Sequence, residues 1–364
     1  MTTNYAVAPG EYLAEWIDEQ ALSQGTVADL LGMSRKHVNE IVNGHATISP
    51  DSAVKLGRVT GIPADAWLRY EALYRADLAR LASEHSLANH ANAIHPSAAS
   101  FLRKIGATTS TRRDPGRLVS DFLTFHRCGT WESYLSLADA QTTGAYALAT
   151  LTEASSPVET TLLTTWLRAG EMTEAFERGR HYTFDADQLR ALLPEVRARA
   201  ASPDEDMLHD IASLLAKAGT VFLALEPPTS LPLFGVTRWI DNQVPVIQQS
   251  GRRRSDGFII WTLFHEIGHV LNDPRGETHL EFSTEKKRAN AAEKAANQFA
   301  LQTLFGADGL NRLSGLQTDQ EIRAAAQELG ISPGVAVHQM HRRRMLDYSY
   351  GNRLLVELSS TLTA

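Results

Sequence analysis

Apolar residues at helical spacing dominate this chain. Before residue 83, five short segments have that spacing, and two of them close at Gly32 and Gly44, as helices commonly do. After residue 201, short alternating or continuously apolar runs typical of strands join the helices. The pattern predicts a mainly α, α+β protein with a five-helix domain at 1–82, a helical middle region at 83–200 and a third domain at 201–364. Four amphipathic stretches are expected in the middle region: Pro115–Arg127, Trp131–Ala140, Pro157–Phe176 and Asp187–Ala201.

The third region begins with a predicted helix and three predicted strands. A helix is expected at Met207–Ala218, followed by a strand at Thr220–Leu225. Gly235–Ile240 and Val244–Gln249 have the pattern of two strands joined by a tight turn at residues 241–243. We therefore expect a small antiparallel or mixed sheet, in which either hairpin strand could form an edge.

The helix predicted at Trp261–Leu271 is apolar on nearly every side, yet it contains three polar residues. His265 and His269 are four residues apart and share one helix face, so both imidazoles can bind one metal ion. Glu266 lies beside them and could take a proton from water, as in a zinc hydrolase. The alternative is that both histidines are only hydrogen-bonded within a core.

A zinc site of this kind needs a third protein ligand. The helix predicted at Thr284–Leu304 offers Glu293 beside a stripe of small residues that would allow close approach to the first helix. Asn297, one turn further on, could support the carboxylate of Glu293. The alternative is a solvated surface glutamate.

The segment H-E-I-G-H, followed by E-K-A-A-N-Q-F-A, resembles the ImmA/IrrE family of bacterial metallo-endopeptidases. The resemblance extends from about Ala201 to about Leu346, and implies a zincin-like domain. It implies that His265, His269 and Glu293 are the metal ligands, that Glu266 is the general base, and that the substrate is a repressor protein. Zinc is the expected metal, and manganese or iron could occupy the same ligands.

The sequence does not identify a donor for the oxyanion of a peptidase reaction. Arg238, Arg275 and His279 are weak candidates. The run Arg252–Arg254 before the metal helix could hold an acidic substrate or a DNA phosphate, although a solvated loop is the simpler interpretation. His338 and His341 could suggest a second metal pair, but their spacing and the arginines after them favour a solvated helix end.

In the N-terminal region, two short predicted helices joined at Gly32 have the form of a helix-turn-helix. The second helix, with Ser34 as its N-cap, would lie in the major groove of DNA. The residues expected to contact DNA are Ser34, Arg35, Lys36, His37 and Asn39.

Charge weakens the expectation of DNA binding, because residues 1–82 contain seven basic and ten acidic residues, a net charge of −3. A small helical domain that mediates protein contacts, or docks a protein substrate, is the alternative. However, residues 8–80 resemble HigA-type antitoxins of the XRE helix-turn-helix group. That resemblance implies a homodimer on an operator in double-stranded DNA, and some such antitoxins also bind a ribonuclease toxin.

The net charge of −7 argues against coating nucleic acid through bulk charge. Cys128 is the single cysteine, which excludes an intramolecular disulfide and is typical of a cytoplasmic protein. No apolar run is long enough to span a membrane. We expect an antitoxin-like transcription regulator with a zinc-dependent endopeptidase domain that cleaves a repressor, a partner protein or itself. The alternative is a DNA-binding repressor whose peptidase-like domain is a non-catalytic sensor or toxin-binding module.

Overall fold

A computed structural model describes residues 5–139, 157–282 and 291–358. The chain divides into two compact units, which are described separately below. The first comprises Met1–Ala91 with Ser110–Ser120, and the second comprises Asn92–Thr109 with Asp121–Ala364. The division into three regions at residues 82 and 200 stays a prediction.

The first unit is built from the five helices expected before residue 83. The fifth helix is longer than the sequence pattern predicts, since it extends over 24 residues. A 3₁₀ turn at Ala88–Ala93 follows it. Leu13, Val38 and Trp67 are fully buried at the centre of this unit. The helices are α1 (Pro9–Glu19), α2 (Gln24–Leu31), α3 (Arg35–Val42), α4 (Pro50–Thr60) and α5 (Ala64–Leu87).

The stretch predicted as one helix at Pro157–Phe176 is two helices, which corrects that expectation. The first ends at Gly170 and the second begins after Thr173, whose hydroxyl accepts a hydrogen bond from the amide of Phe176. The Thr173 side chain is therefore an N-cap in the middle of the apolar pattern. The helices of this part of the chain are α6 (Pro96–Lys104), α7 (Pro115–His126), α8 (described over residues 131–139), α9 (Pro157–Gly170), α10 (Glu174–Arg180), α11 (Ala186–Ala200) and α12 (Met207–Lys217).

The second unit contains a mixed four-stranded sheet of order β1-β3-β2-β4. The pair β1–β3 is parallel, and the pairs β2–β3 and β2–β4 are antiparallel. The predicted hairpin is confirmed, and Asp241 and Asn242 have φ of 50° and 56° in its turn, as primed hairpin turns require. The strands are β1 (Val221–Ala224), β2 (Leu233–Ile240), β3 (Val244–Gln249) and β4 (His279–Phe282).

Neither hairpin strand is an edge of this sheet, contrary to the expectation from the sequence. Both β2 and β3 are paired on two sides, while β1 and β4 are the outer strands. The strand β1, which precedes the hairpin in the chain, pairs with β3, and β4, which follows the apolar helix, pairs with β2. Each hairpin strand therefore has a second neighbour. The edge nearest the predicted metal ligands in sequence is β4.

The helix that carries the histidines is α13 (Asp256–Asn272), and almost all of it is buried. It packs on the sheet, where the Gln249 amide donates to the Ile259 carbonyl oxygen, and it also contacts α14 and α17. The predicted helix at Thr284–Leu304 is α14 over Ala291–Phe305, while its residues 284–290 lie outside the described part of the chain. The remaining helices are α15 (Gly309–Arg312), α16 (Asp319–Leu329) and α17 (Pro333–Arg342).

Helix α9 packs against the same sheet. The indole N–H of Trp166 donates to the Leu225 carbonyl oxygen at 3.0 Å, and the Gln248 amide donates to the Trp166 carbonyl oxygen at 2.9 Å. The predicted fold class is confirmed: the chain is mainly helical, with a small mixed sheet beside α13. Within the described residues, no helix is both long enough and apolar enough to cross a membrane.

Candidate metal centre

Three polar side chains of α13 are buried together with its apolar residues. His265, Glu266 and His269 are 4%, 2% and 2% exposed. The helix packs against the sheet and neighbouring helices, so these side chains are almost entirely removed from bulk solvent. Buried ionisable groups require partners, because removal of a charge from water is costly.

The donor atoms of His265, His269 and Glu293 converge. The two Nε2 atoms are 3.1 Å apart, and they lie 3.5 and 3.6 Å from the two carboxylate oxygens of Glu293. Nitrogen and oxygen ligands at about 2.1 Å from a tetrahedral metal ion are about 3.4 Å apart. The cluster therefore has the spacing of three ligands around one metal ion, and it can hold such an ion.

A close approach of α13 and α14 brings Glu293 to the histidines. A side chain at Gly268 would place its Cβ atom 3.1 Å from the Cα atom of Ala296, closer than packed side chains normally come. The small residues Gly268 on α13 and Ala296 on α14 therefore allow the two helix backbones to approach each other closely, next to His269 and Glu293. The sequence predicts that small residues of α14 face the first helix, and Ala296 is the small residue of α14 at this contact.

Glu266 is buried without full hydrogen bonding. Its Oε2 atom has no hydrogen-bond partner among the described residues. Its charge raises the pKa of His269, so the carboxylate is electrostatically coupled to the cluster. Unpaired buried carboxylate oxygens are rare in proteins and are often found at functional sites, where they can receive a proton.

Asp273 and His279 extend the cluster beyond the residues predicted from the sequence. The Nδ1 atom of His269 lies 2.6 Å from Oδ2 of Asp273, and Nε2 of His279 lies 3.2 Å from the same oxygen. A carboxylate that accepts from Nδ1 of a histidine leaves its Nε2 lone pair for a metal ion. An acid four residues after His269 was a signal available in the sequence, whereas the position of His279 depends on the return of β4.

The charges around His269 determine its protonation in the absence of a metal ion. Burial lowers the pKa of His269, but the hydrogen bonds to Glu293 and Asp273 and the charge of Glu266 outweigh burial and raise it to about 9. Burial, and the charge of His269, lower the pKa of His279. Metal binding at this site must therefore displace a proton from His269 near neutral pH.

Asn297 bridges α14 and α17. Its amide donates to the main-chain carbonyl oxygen of Glu293 at 2.7 Å, and its Oδ1 atom accepts from Arg342 at 3.1 Å. A hydrogen bond from Asn297 to the Glu293 carboxylate stays a prediction. Arg342 was not recognised in the sequence, since it comes from a helix that ends far along the chain from the metal ligands.

Several other candidate residues are engaged elsewhere in the second unit. Arg238 is buried and paired with Glu171 at 2.9 Å, and the Arg275 guanidinium lies over the rings of Phe184 and Trp239. Only His279, of the three oxyanion candidates, adjoins the cluster.

The other basic and histidine motifs also have packing roles. Arg252 donates to main-chain carbonyl oxygens, and Arg253 lies over the rings of Phe234 and Phe258. His338 packs edge-on against the Phe258 ring, and His341 donates to the Tyr350 carbonyl oxygen. Arg252 and Arg253 are exposed, which supports a solvated loop. His341 is buried and His338 half-buried by this packing, so the expectation of a solvated helix end is wrong for the two histidines.

In the first unit, the predicted helix-turn-helix geometry is confirmed. Helix α2 ends at Gly32 with φ of 61°, and α3 begins after Ser34, whose hydroxyl accepts from the amide of His37. Arg35, Lys36 and Asn39 are exposed and His37 is half-buried. Lys36 forms an ion pair with Glu40 at 3.8 Å. Their contacts with DNA stay predictions.

Comparison with known proteins agrees with the two motifs. A family model described as helix-turn-helix matches residues 13–67, and one described as an IrrE N-terminal-like domain matches residues 248–341. Virulence-associated protein I of Dichelobacter nodosus is 35% identical over 75 residues, which are 20% of this chain and 69% of that protein. The chain belongs to the helix-turn-helix family. No solved structure matches it.

This helix-turn-helix protein therefore joins a DNA-binding regulatory domain to an IrrE-like, metallopeptidase-like domain. The IrrE-like match contains His265, Glu266, His269 and Glu293, while Arg342 lies directly after its last residue. The resemblance seen in the sequence is confirmed for both domains. The HigA subtype stays a prediction.

Proposed function

We propose that this protein is a transcription regulator whose C-terminal domain is a zinc-dependent endopeptidase that cleaves a repressor, a partner protein or the regulator itself. The observation that carries the proposal is the convergence of His265, His269 and Glu293 beside a buried, incompletely bonded Glu266. A purely structural histidine pair would not need that spacing. The IrrE-like match supports the same activity.

The donor set fits zinc, which commonly takes two imidazoles and a carboxylate in catalytic sites and leaves one position open. Zinc bound there would supply a Lewis acid and lower the pKa of water. Glu266 would take the proton from the attacking water and then donate it to the leaving amine. Asp273 would hold the tautomer of His269 in which Nε2 has the free lone pair.

The edge strand β4 provides a position for an extended substrate. Among the described strands it pairs with β2 alone, and it carries His279 and Glu281 next to the metal cluster. A peptide that adds to this edge would form main-chain hydrogen bonds with β4 and lie beside α13. This arrangement favours an endopeptidase that binds an extended segment of a protein.

In the first unit, Arg35, Lys36, His37 and Asn39, with the cap Ser34, would contact an operator in double-stranded DNA. We infer that the protein binds DNA as a homodimer, and that cleavage releases the genes it or its partner represses. A toxin is a further candidate partner, on the basis of the resemblance to HigA-type antitoxins. Manganese or iron would fit the same ligands.

The decisive experiment measures the metal content of the purified protein, with His265→Ala and Glu293→Ala as variants. We expect near-stoichiometric metal that is lost in both variants. Glu266→Gln should retain metal but lose cleavage of the repressor, because its carboxylate is the proposed base. A wild-type protein that neither contains metal nor takes up added zinc would disprove the peptidase.

The second candidate function is a DNA-binding repressor in which the IrrE-like domain only senses metal or holds a partner. The helix-turn-helix match and the similarity to virulence-associated protein I favour it, because both concern the N-terminal domain. Under this alternative, Glu266→Gln would change neither DNA binding nor regulation in the cell. A regulatory defect in Glu266→Gln with normal DNA binding would instead favour the peptidase.

A further inference from the structure

Two runs of three arginines lie on the surface of the second unit. Arg252–Arg254 precede α13, and Arg342–Arg344 lie at and just after the end of α17. All six side chains are exposed. In the part of the chain that the structure describes, none of them forms an ion pair within 4 Å, whereas the exposed Arg180 pairs with Glu177 at 3.0 Å. The six guanidiniums are therefore available to an anionic partner.

The packing of α13 against α17 brings the two runs together. The guanidinium of Arg253 lies 5.2 Å over the ring of Phe258. That of Arg342 lies 5.2 Å over the ring of Trp261. Phe258 and Trp261 are three residues apart on α13, so they are neighbours on its surface. The ring of His338, one turn before Arg342 on α17, packs edge-on against Phe258 at 5.8 Å. One arginine of each run thus lies along the same part of α13.

A guanidinium stacked on an aromatic ring keeps its N–H groups for a ligand. The ring covers the flat face of the guanidinium, while the N–H groups point outward in its plane. Arg342 donates to Oδ1 of Asn297 at 3.1 Å, and among the described residues Arg253 makes no side-chain hydrogen bond. Stacking also restricts both side chains, which lowers the entropy cost of binding. Two parallel N–H groups match two oxygens of a phosphate group.

Basic groups outnumber acids around the two runs. The other basic residues are Lys104, which is paired with Glu226, and Arg353, in the turn before the segment that bridges to Ser255. These two and the six arginines outnumber the neighbouring acids by two, and a divalent ion in the metal centre would offset the buried Glu266 as well. The neighbouring acids are Glu226, Asp256, Glu281, Glu293, Asp347 and Glu357.

Double-stranded DNA is the polyanion that best fits this surface. The first unit of the same chain belongs to a DNA-binding family, but residues 1–82 carry a net charge of −3. That domain therefore lacks the general positive charge that supplies most non-specific affinity for DNA. A second binding surface on the same chain would increase the affinity through effective concentration, without any new contact in the first unit.

We propose that Arg253 and Arg342, with the neighbouring arginines of the two runs, form a second DNA-binding surface that contacts the phosphate groups of double-stranded DNA. The inference rests on the DNA-binding part of the proposed function and is independent of peptidase activity. Phosphate contacts position a protein on a duplex but carry no sequence information. This surface would therefore add affinity for any duplex, while α3 selects the operator.

The test measures the binding of the full-length protein to a short fluorescent duplex of unrelated sequence, by anisotropy at a series of salt concentrations. The protein with both Arg253→Gln and Arg342→Gln should bind about tenfold more weakly or worse. The slope of its log affinity against log salt concentration should become smaller by about two, because two phosphate contacts are lost. Lysine at both positions should retain most of the slope, since the charges are kept.

The matched control has both Arg180→Gln and Arg312→Gln. It removes the same charge from two exposed arginines of the second unit that have acidic partners, so its slope should equal that of wild type. A wild-type slope in a folded protein with Arg253→Gln and Arg342→Gln would overturn the inference. If that protein does not fold, the exposed Arg254 and Arg343, one from each run, are replaced by glutamine instead, with the same expectation.

Two further measurements separate this surface from α3 and from a site for an acidic protein. A protein with Arg35→Ala and Lys36→Ala should keep weak duplex binding, which the added changes at Arg253 and Arg342 should abolish. Loss of binding to poly-L-glutamate with unchanged duplex binding would assign the surface to an acidic protein and overturn the inference. A wild-type protein that binds no duplex would instead contradict the DNA-binding part of the proposed function, so the two failures are distinguishable.

Discussion

The imidazole ring of His279 stacks on that of His269, with ring centroids 3.9 Å apart and planes 16° apart. Both rings also reach the same oxygen of Asp273. Asp273 thus connects the first residue of the edge strand β4 to a proposed metal ligand on α13. Through this contact, the position of the strand can influence the orientation of the ligand.

Loss of Asp273 or His279 should weaken metal binding without removing a ligand. Asp273→Asn would no longer stabilise the correct tautomer of His269, and we expect a 10–100-fold loss of metal affinity, about the range for such supporting partners. His279→Phe keeps an aromatic ring on His269 but removes the hydrogen bond, so its loss should be smaller. Competition with a chromogenic chelator measures both affinities. Unchanged affinity in Asp273→Asn would rule out its supporting role.

Gly268 should be intolerant of larger side chains. In Gly268→Val the new side chain would meet α14 at Ala296 and Phe299 and would displace Glu293 from the histidines. We expect about a tenfold or larger loss of metal affinity, with a milder effect in Gly268→Ala. Gly129→Ala is the control, because a Cβ atom at Gly129 meets no other atom within 4 Å. Equal affinities of the Gly268→Val and Gly129→Ala proteins would contradict the close helix approach.

Metal removal should destabilise the second unit. An ion that binds only the folded state at 1,000 times its Kd stabilises that state by about 4 kcal/mol. Addition of a chelator should therefore lower the Tm of the wild-type and Glu266→Gln proteins but have little effect on His265→Ala. Differential scanning calorimetry measures these shifts. A chelator effect of full size in His265→Ala would show that the ion is bound elsewhere.

The buried His126 should contribute to acid unfolding. Burial and the charge of Arg168 lower the pKa of His126 from 6.5 to about 3, and its ring packs against Phe122 and Tyr134. Between these pH values only the unfolded chain binds this proton, so the free energy of unfolding falls by about 1.4 kcal/mol for each unit of decreasing pH. Above pH 6.5 the histidine is neutral in both states and has no such effect.

The variant His126→Phe should remove this pH dependence. Between neutral pH and pH 4, the free energy of unfolding should decrease in both proteins, but the decrease should be about 3 kcal/mol smaller in the variant than in wild type. Urea unfolding between pH 4 and pH 7 provides the measurement. The exposed His181 is the control position, and His181→Gln should follow the wild-type curve. Parallel curves for wild type and His126→Phe would be inconsistent with a neutral buried imidazole.

DNA binding should depend on the start of α3. Arg35→Ala and Lys36→Ala should each weaken binding to the DNA upstream of the protein's own gene by about tenfold. Where the lost contact is to phosphate, the slope of log affinity against log salt concentration should also become smaller by about one. A gel shift over a series of salt concentrations tests both effects. Arg69→Ala, in an exposed ion pair with Asp65 on α5, is the control. Wild-type binding by a protein that carries both Arg35→Ala and Lys36→Ala would leave protein docking as the role of this domain.

Local features of the site could be predicted from the sequence because they depend on short-range geometry. Residues four apart share a helix face whatever surrounds the helix, so the convergence of His265 and His269 followed from their spacing. The same reasoning identified Ser34 as an N-cap and Asp241–Gln243 as a hairpin turn. Glu293 required one additional inference, that a face of small residues would approach α13 closely.

Only the tertiary structure decided the features that depend on contacts between distant segments. Strand order made β4 an edge and placed His279 on His269, which no local pattern indicates. The packing of α17 on α13 brought Arg342 to Asn297, while Arg238 and Arg275 became packing residues. The sequence by itself determined which side chains each helix presents on one face, because the backbone repeat is local. The partners of those faces were decided by how distant elements pack into one core.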